Sequence, residues 1–341
     1  MVNLVGEEIL DKSELESLFK NKSFPNCYDG FEPSGRMHIA QGVLRSINVN
    51  RLTQAGCVFT FWVADWFALM NNKMGGDLNK IRIVGLYFIE IWKAAGMDLR
   101  NVKFLWASDE INKHSNEYWS LVIDIARRNT YDRIVRCSQI MGRKDKESLY
   151  AAQIMYPCMQ CADVFFLKAD ICQLGMDQRK VNVLAREYCD SVGIKDKPVI
   201  VGHHMLAGLQ ENCEKMSKSI PDSAIFMEDS EEDVNRKIKK AFCPENVIEK
   251  NPIIEYCKYI IFPSHNSFTI LRNEKNGGNT VYNTYESLEK DYKEGKVHPA
   301  DLKPSVAVAI NKLLDPVRNH FKNDPKAKRL LELVRSFQVT R

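Results

Sequence analysis

Residues 28–41, YDGFEPSGRMHIAQ, restrict the fold of this chain more than any other stretch. Tyr28-Asp29-Gly30 closes a run that reads as a strand, Pro33-Ser34-Gly35 imposes a tight turn, and Ile39, Val43, Leu44 and Ile47 then recur at helical spacing. Strand, glycine turn and helix N-terminus follow one another without a spacer. Backbone N–H groups and the positive end of the helix dipole converge at such a turn, which suits a phosphate, and His38 adds a donor from the first turn. A Pro-Ser-Gly turn before a helix also serves as plain architecture, so a second element is needed to decide.

That element is Lys215-Met216-Ser217-Lys218-Ser219, in a polar loop that opens at Glu211-Asn212 and closes at Pro221-Asp222. Two lysines around small hydroxyl residues can close over a triphosphate and meet the charge that develops as pyrophosphate leaves. A solvated lysine turn is the bland alternative, and the strand–turn–helix upstream weighs against it.

The intervening chain alternates between the two kinds of element. A short amphipathic helix carries Leu10, Leu15, Leu18 and Phe19. Strands are predicted at 58–63, 102–106 and 199–201, and a helix over 78–95 is capped by Asp77 and ended by Gly96. Such alternation predicts a doubly wound, mostly parallel α/β sheet with ligands beyond the carboxyl ends of its strands, where Tyr28, Asp65 and Asp109 fall. From about 115 to 153 the pattern turns helical, with Arg127, Arg128, Arg133, Arg136, Arg143 and Lys144 among apolar residues, and reads as an insertion. Beyond the lysine loop, Asp229 to Asp233 opens a helix that Arg236, Lys237, Lys239 and Lys240 close, as the helix dipole prefers. The expected division is a catalytic domain over 1–225 and a smaller, mainly helical domain over 226–341, with a polar Gly277-Gly278 turn.

Composition adds bounds. With 341 residues two domains are expected, and a net charge of +4 is too small to imply nucleic acid without local clustering. The ten cysteines are scattered among apolar runs, which favours free thiols in a reducing compartment. The first residues resemble neither a signal nor a transit peptide, and the apolar run 57–70 is broken by Asp65 and too short to span a membrane. The cytosol is the expected location.

PSGRMHIAQ resembles the HIGH signature, and KMSKS the second signature, of class I aminoacyl-tRNA synthetases. Across nearly the whole chain, YDGFEPSG at 28–35, YPCMQCAD at 156–163, GMDQRK at 175–180 and HPADLK at 298–303 resemble, in order, tyrosyl-tRNA synthetases of archaeal and eukaryotic type. The resemblance implies a Rossmann-like catalytic domain with a helical anticodon-binding domain, and the activation of tyrosine by ATP with Mg²⁺ before transfer to tRNA(Tyr). It implies catalytic roles for His38, Gln41, Lys215 and Lys218, and an ATP site at Pro33, Ser34, Gly35, His38, Ala40, Gly175, Asp177, Met205, Leu206, Lys215, Met216, Ser217 and Lys218. Tyr28 and Asp163 are implied to hold the phenol, and Tyr156, Gln160 and Gln178, with Glu32 nearby, the amino acid end. His298 and Asp301 are implied to read the anticodon, and the insertion to form a homodimer interface and meet the acceptor stem.

The residues support parts of this independently. Tyr156, Gln160 and Asp163 are spaced by four and three, so they share one helix face, where buried Gln and Asp would be costly without partners. Cys158 and Cys161 form a lone CxxC, and His203-His204 point different ways, so no metal is assigned. His298-Pro299 could equally cap a helix. Ala40 and Gln41 depart from HIGH, and Leu174, Trp66-Phe67 and Asn276 depart from the family pattern. Two rivals remain: tryptophanyl-tRNA synthetase, which a phenol-binding pair disfavours because an indole offers only a donor, and a non-catalytic RNA-binding relative, which intact His38, Lys215 and Lys218 disfavour.

Overall fold

A computed structural model of the protein describes residues 1–142, 148–213, 216 and 222–337. A short strand, β1 (Glu8–Ile9), precedes helix α1 (Lys12–Asn21), which Asp11 caps by accepting from the Ser13 and Glu14 amides. The strand of the signature is β2 (Asn26–Phe31), and Tyr28 lies within it rather than at its end. At the turn, Gly35 takes φ 72°, a left-handed conformation that disfavours any residue with a Cβ. The helix that follows begins with a wide π-type turn at Ala40–Leu44 and continues as α2 (Arg45–Gln54). Gly42 leaves room there for Met227, whose side chain a Cβ would overlap.

The alternation then runs β3 (Val58–Val63), α3 (Asp65–Met70), α4 (Leu78–Ala94) and β4 (Val102–Trp106). Helix α5 (Ala107–Lys113) leads into the expected insertion, which supplies α6 (Ser115–Arg127) and α7 (Tyr131–Cys137), and α8 (Ala151–Phe166) begins at its end. The chain returns to the sheet through β5 (Ile171–Gly175), α9 (Arg179–Val192) and β6 (Val199–His203). Strand order is β1-β6-β5-β2-β3-β4, parallel except for the antiparallel edge β1. The sheet is therefore mixed: a two-residue strand is too short to show a period in the sequence. β2 and β3 pair residue for residue, Asn26 with Val58 through Phe31 with Val63.

Strand alternation sorts side chains into two cores. Cys27 and Phe31 of β2, with Phe59, Phe61 and Val63 of β3, enter one core, and Tyr28 and Trp62 enter the other. In the first, Phe61 stacks on Trp92 of α4 at 4.6 Å and on Phe104 at 5.3 Å. Full burial of such side chains stabilises by roughly 1.5–3 kcal/mol each. The second core is filled by α6, α8 and α9.

After the lysine loop come α10 (Glu231–Lys240), capped by Ser230, and α11 (Pro252–Tyr256), which runs through a second π-type turn into α12 (Phe262–Ser264). Strands β7 (Phe268–Ile270) and β8 (Thr280–Tyr282) then form a small hairpin around Gly277-Gly278, where the sequence reads as helix and turn alone. Three-residue strands, like β1, leave no legible alternation. Helices α13 (Tyr285–Lys293), α14 (Pro299–Asn323) and α15 (Pro325–Ser336) finish the chain. Tyr87 of α4 meets Phe321 of α14 at 5.5 Å, so the C-terminal helices share the first core. All ten cysteines are free thiols, and among the described residues no helix is long and apolar enough to cross a membrane.

Candidate functional site

Since β2 lies between β3 and β5, strands are added on one side of it and then on the other, and a cavity of about 360 Å³ opens at this switch point, at the carboxyl ends. One end is walled by α8. Tyr156, Gln160 and Asp163 project from one face of this helix and are 7%, 7% and 1% exposed. Tyr156 donates to Glu32 Oε1 at 2.8 Å, and Asn71 donates to both Glu32 oxygens at 3.1 Å, with Lys73 Nζ at 3.9 Å. Gln160 donates to Gln178 Oε1 at 3.1 Å, and Gln178 in turn donates to the Ile140 carbonyl at 3.0 Å. Asp163 accepts from the Tyr118 hydroxyl at 2.7 Å. Burial pushes its carboxyl well above the usual range, and the Tyr118 hydroxyl, then the Trp62 indole, oppose that rise. Tyr28 is 2% exposed, and burial first, then Asp163, raise its phenol.

The other end lies beside the glycine turn. Residues 37–39 pair with 225–227: the Ile39 amide donates to the Ile225 carbonyl at 2.8 Å, and the Met227 amide to the Met37 carbonyl at 2.9 Å. This pairing holds His38, Ala40 and Gln41 against the cavity, together with Ser34, Gly175, Asp177, Met205, Leu206 and Met216. Pro33 and Gly35 shape the turn behind the lining. Arg36 ties the turn down from outside, reaching Glu228 at 2.5 Å and Asp229 at 2.9 Å.

Beneath this end lies a group of buried polar residues. Asp29 is fully buried with Arg45 Nε at 3.2 Å from its Oδ2. Burial pushes its carboxyl up to about 7, with Arg45 opposing and Asp177 reinforcing the rise. His203 shares a 2.6 Å hydrogen bond with Gln173, and burial, then Arg45, push it down to about 3, so the ring is neutral. Asp29 Oδ1, Arg45 Nη1, Gln41 Oε1 and Gln173 Oε1 have no hydrogen-bond partner among the described residues, and Asp29 Oδ2 has only its ion pair with Arg45. Each such atom costs roughly 1–3 kcal/mol unless a ligand or water completes it.

The expected residues do not all gather here. Lys215, Ser217 and Lys218, like Arg143 and Lys144, lie outside the described residues. Asp65 and Asp109 follow their strands but are held by Arg82, at 3.2 and 2.9 Å, away from the cavity. Leu174 and Phe67 line the cavity. His204 bridges Glu7 and Glu255 at 3.0 and 3.3 Å. His298 caps α14, its Nδ1 accepting from the Ala300 amide at 3.0 Å, and its Nε2 meets Glu245 at 2.9 Å. Asp301 follows in the first turn of α14. Arg127 and Arg128 both pair with Asp124, and Arg133 with Glu187, whereas Arg136 is exposed.

Sequence reasoning misses Tyr118, Trp62, Asn71, Lys73, Asp29 and Arg45. Of these only Asp29 carries a local signal, as a carboxylate inside a strand with buried neighbours.

Comparison with known proteins gives these residues a context. Residues 20–315 match the family described as tRNA synthetases class I (W and Y). "Tyrosine--tRNA ligase 1, cytoplasmic" of Arabidopsis thaliana is 61% identical over 341 residues, all of this chain and 89% of that protein. The chain belongs to the class I tyrosyl-tRNA synthetases. Among solved synthetases, that of Leishmania major in complex with tyrosinol has a TM-score of 0.94 at 53% identity, over 99% of this chain. This chain spans 51% of the Leishmania chain, about half its length. The synthetase of Pyrococcus horikoshii complexed with L-tyrosine gives 0.90 at 37% identity over 98% of both chains. This synthetase therefore shares the fold of both, with its first signature on the turn between β2 and α2.

Proposed function

We infer that the protein is a tyrosine–tRNA ligase, which joins L-tyrosine to ATP as tyrosyl-adenylate, releases pyrophosphate, and passes the tyrosyl group to the terminal ribose of tRNA(Tyr). The observation that carries this reading is Asp163: a buried carboxylate facing Tyr28, at the apolar end of a cavity at the sheet's switch point. A phenol donating to that carboxylate is selected over phenylalanine, which would leave the acid buried without its ligand, a discrimination for which tyrosyl-tRNA synthetases are themselves the known example.

Positioning does most of the chemical work. In this reading Tyr28 and Asp163 hold the phenol, and Tyr156, Gln160, Gln178 and Glu32 the amino acid end. The tyrosine carboxylate then attacks the α-phosphate in line, and no covalent enzyme intermediate forms. His38, Gln41 and the backbone from Pro33 to Ala40 receive the phosphates, with Lys215 and Lys218 on the leaving pyrophosphate. Gly175 and Asp177 take the ribose side, and Met205 and Leu206 the adenine. Mg²⁺ would accompany the nucleotide as counter-ion to its phosphates; among the described residues no group of three acidic, histidine or cysteine side chains gathers to hold an ion alone.

The same reading divides the chain into a catalytic part to 225 and an anticodon-binding part from 226, and places the protein in the cytoplasm, where the named Arabidopsis ligase belongs. His298 and Asp301 read the anticodon of tRNA(Tyr). An apolar groove on α6, α7 and α8, where Ile123 is 62%, Tyr131 65% and Met155 45% exposed, is the face of a homodimer. Ile123→Asp is expected to yield monomers in light scattering.

Amino-acid-dependent ATP–pyrophosphate exchange tests the reading. Exchange with tyrosine alone supports it. Exchange with tryptophan would reassign the protein to the sibling enzyme, and folded, RNA-binding protein without any exchange would mark a non-catalytic relative.

A further inference from the structure

The acid that faces the phenol is held from behind by a residue of the insertion. Tyr118 lies on α6 with no exposed surface and is not part of the cavity lining. Its hydroxyl is 2.7 Å from Asp163 Oδ1 and 3.2 Å from the Met159 carbonyl. A hydroxyl has one proton to give, and the shorter of the two contacts, to Asp163, is the one that takes it. The ring cannot drift: it meets Phe166 edge-on at 5.2 Å and Trp119 at 5.9 Å.

We propose that Tyr118 is a positioning residue for tyrosine selection, whose hydroxyl occupies one Asp163 oxygen and leaves the other for the substrate phenol. This rests on the proposed function, and deepens it by assigning specificity to a helix outside the sheet. A carboxyl group tethered at Oδ1, with the Trp62 indole also acting on it, is restricted in rotation, so Oδ2 is held toward the cavity. Without the tether the group can rotate toward Tyr28 and accept from it instead. Burial favours the protonated acid, which is a poorer acceptor, whereas the hydrogen bond from Tyr118 favours the carboxylate. Both effects act only on a substrate that brings a hydroxyl.

Phenylalanine supplies the matching deletion, so Tyr118→Phe and the two amino acids form a double-mutant cycle in pyrophosphate exchange. The expected result is a fall of about tenfold in kcat/KM for tyrosine, carried mainly by KM, with phenylalanine within about twofold of its wild-type value. Tyr118→His keeps a planar ring and a donor, and is expected to recover part of the tyrosine-to-phenylalanine ratio. A ratio unchanged in Tyr118→Phe, or both substrates falling together, would overturn the proposal and leave Tyr118 as core packing. Should Tyr118→Phe fail to fold, Tyr118→Leu, which also lacks the donor, is read by the same ratio with the same two overturning results. Wild-type exchange with tyrosine is the separate control: its absence would refute the proposed function itself.

Discussion

At one end of the cavity Tyr156, Gln160 and Asp163 already have protein partners; at the other, Asp29, Arg45, Gln41 and Gln173 keep buried polar atoms without one among the described residues. The first end is a finished shape, fixed by α6 and α8 before any ligand arrives. The second carries an electrostatic cost that burial imposes and a charged ligand can relieve. A small, uniform substrate can be read by a preset pocket, whereas a polyphosphate is better met by groups whose hydrogen bonding is completed on binding.

The contrast breaks first at Asp163. Asp163→Ala is expected to lower kcat/KM for tyrosine about a thousandfold or more while phenylalanine changes little, since the preset end then lacks the acceptor that the phenol requires. Equal losses for both amino acids in pyrophosphate exchange would show that the end selects by shape alone.

Next in size is Arg36→Ala, which leaves Glu228 buried with only the Tyr87 hydroxyl at 2.8 Å, while Asp229 keeps Lys237 at 2.6 Å. Thermal or denaturant unfolding should report a loss of roughly 2–4 kcal/mol. KM for ATP should rise while tyrosine binding is kept; weakened tyrosine binding would mean that the two ends are not separable.

A pH comparison sharpens the second end. Asp29 is pushed up to about 7 in the fold, against about 4 in an unfolded chain. Between those values the unfolded chain has released the proton and the fold still holds it, so the Asp29 contribution falls as pH rises through the window, against the opposite contribution of His203, which is pushed down to about 3 in the fold. The loss is on the order of 2–4 kcal/mol and is complete above the folded value. Asp29→Asn should remove the falling contribution, so that stability rises more steeply with pH than in the wild type between about pH 4 and 7 in melting experiments, even if removing the partner of Arg45 lowers stability throughout. An unaltered slope would place the titration elsewhere.

The smallest effect belongs to a residue far from both ends. His298→Ala removes the cap of α14, at a cost of about 1 kcal/mol, and is expected to weaken tRNA charging while sparing exchange. Equal loss of both reactions would refute an anticodon role.

What can be read in advance follows from the range of the signals. Strands 58–63 and 102–106 and the helix from Leu78 are legible because their apolar periods run over five residues or more, with an Asp cap and a glycine stop to bound the helix. β1 and the β7–β8 hairpin are too short to show a period, and their pairing depends on partners elsewhere in the chain. The α8 face is legible because Tyr156, Gln160 and Asp163 are set by one helix. Tyr118 looks like any buried aromatic on an amphipathic helix: only the packing of α6 on α8 brings it to Asp163. Asn71 and Lys73 reach Glu32 from a turn in which Asn72 and Met74 take positive φ, a conformation no spacing rule foretells.

The order of strands along the chain has a consequence for synthesis. β2 and its signature turn emerge early, but β2 pairs with β5, and the Asn26 amide donates to Asp170, 144 positions later. The turn is tied down only when Glu228, 192 positions beyond Arg36, has emerged. At roughly 5–20 residues per second these are delays of about 7–30 s and 10–40 s, and during the first of them the nascent chain carries the signature turn on a strand with one bare edge. Such a chain depends on protection from association until its second half arrives, and no amount of local propensity in the first half can shorten the wait.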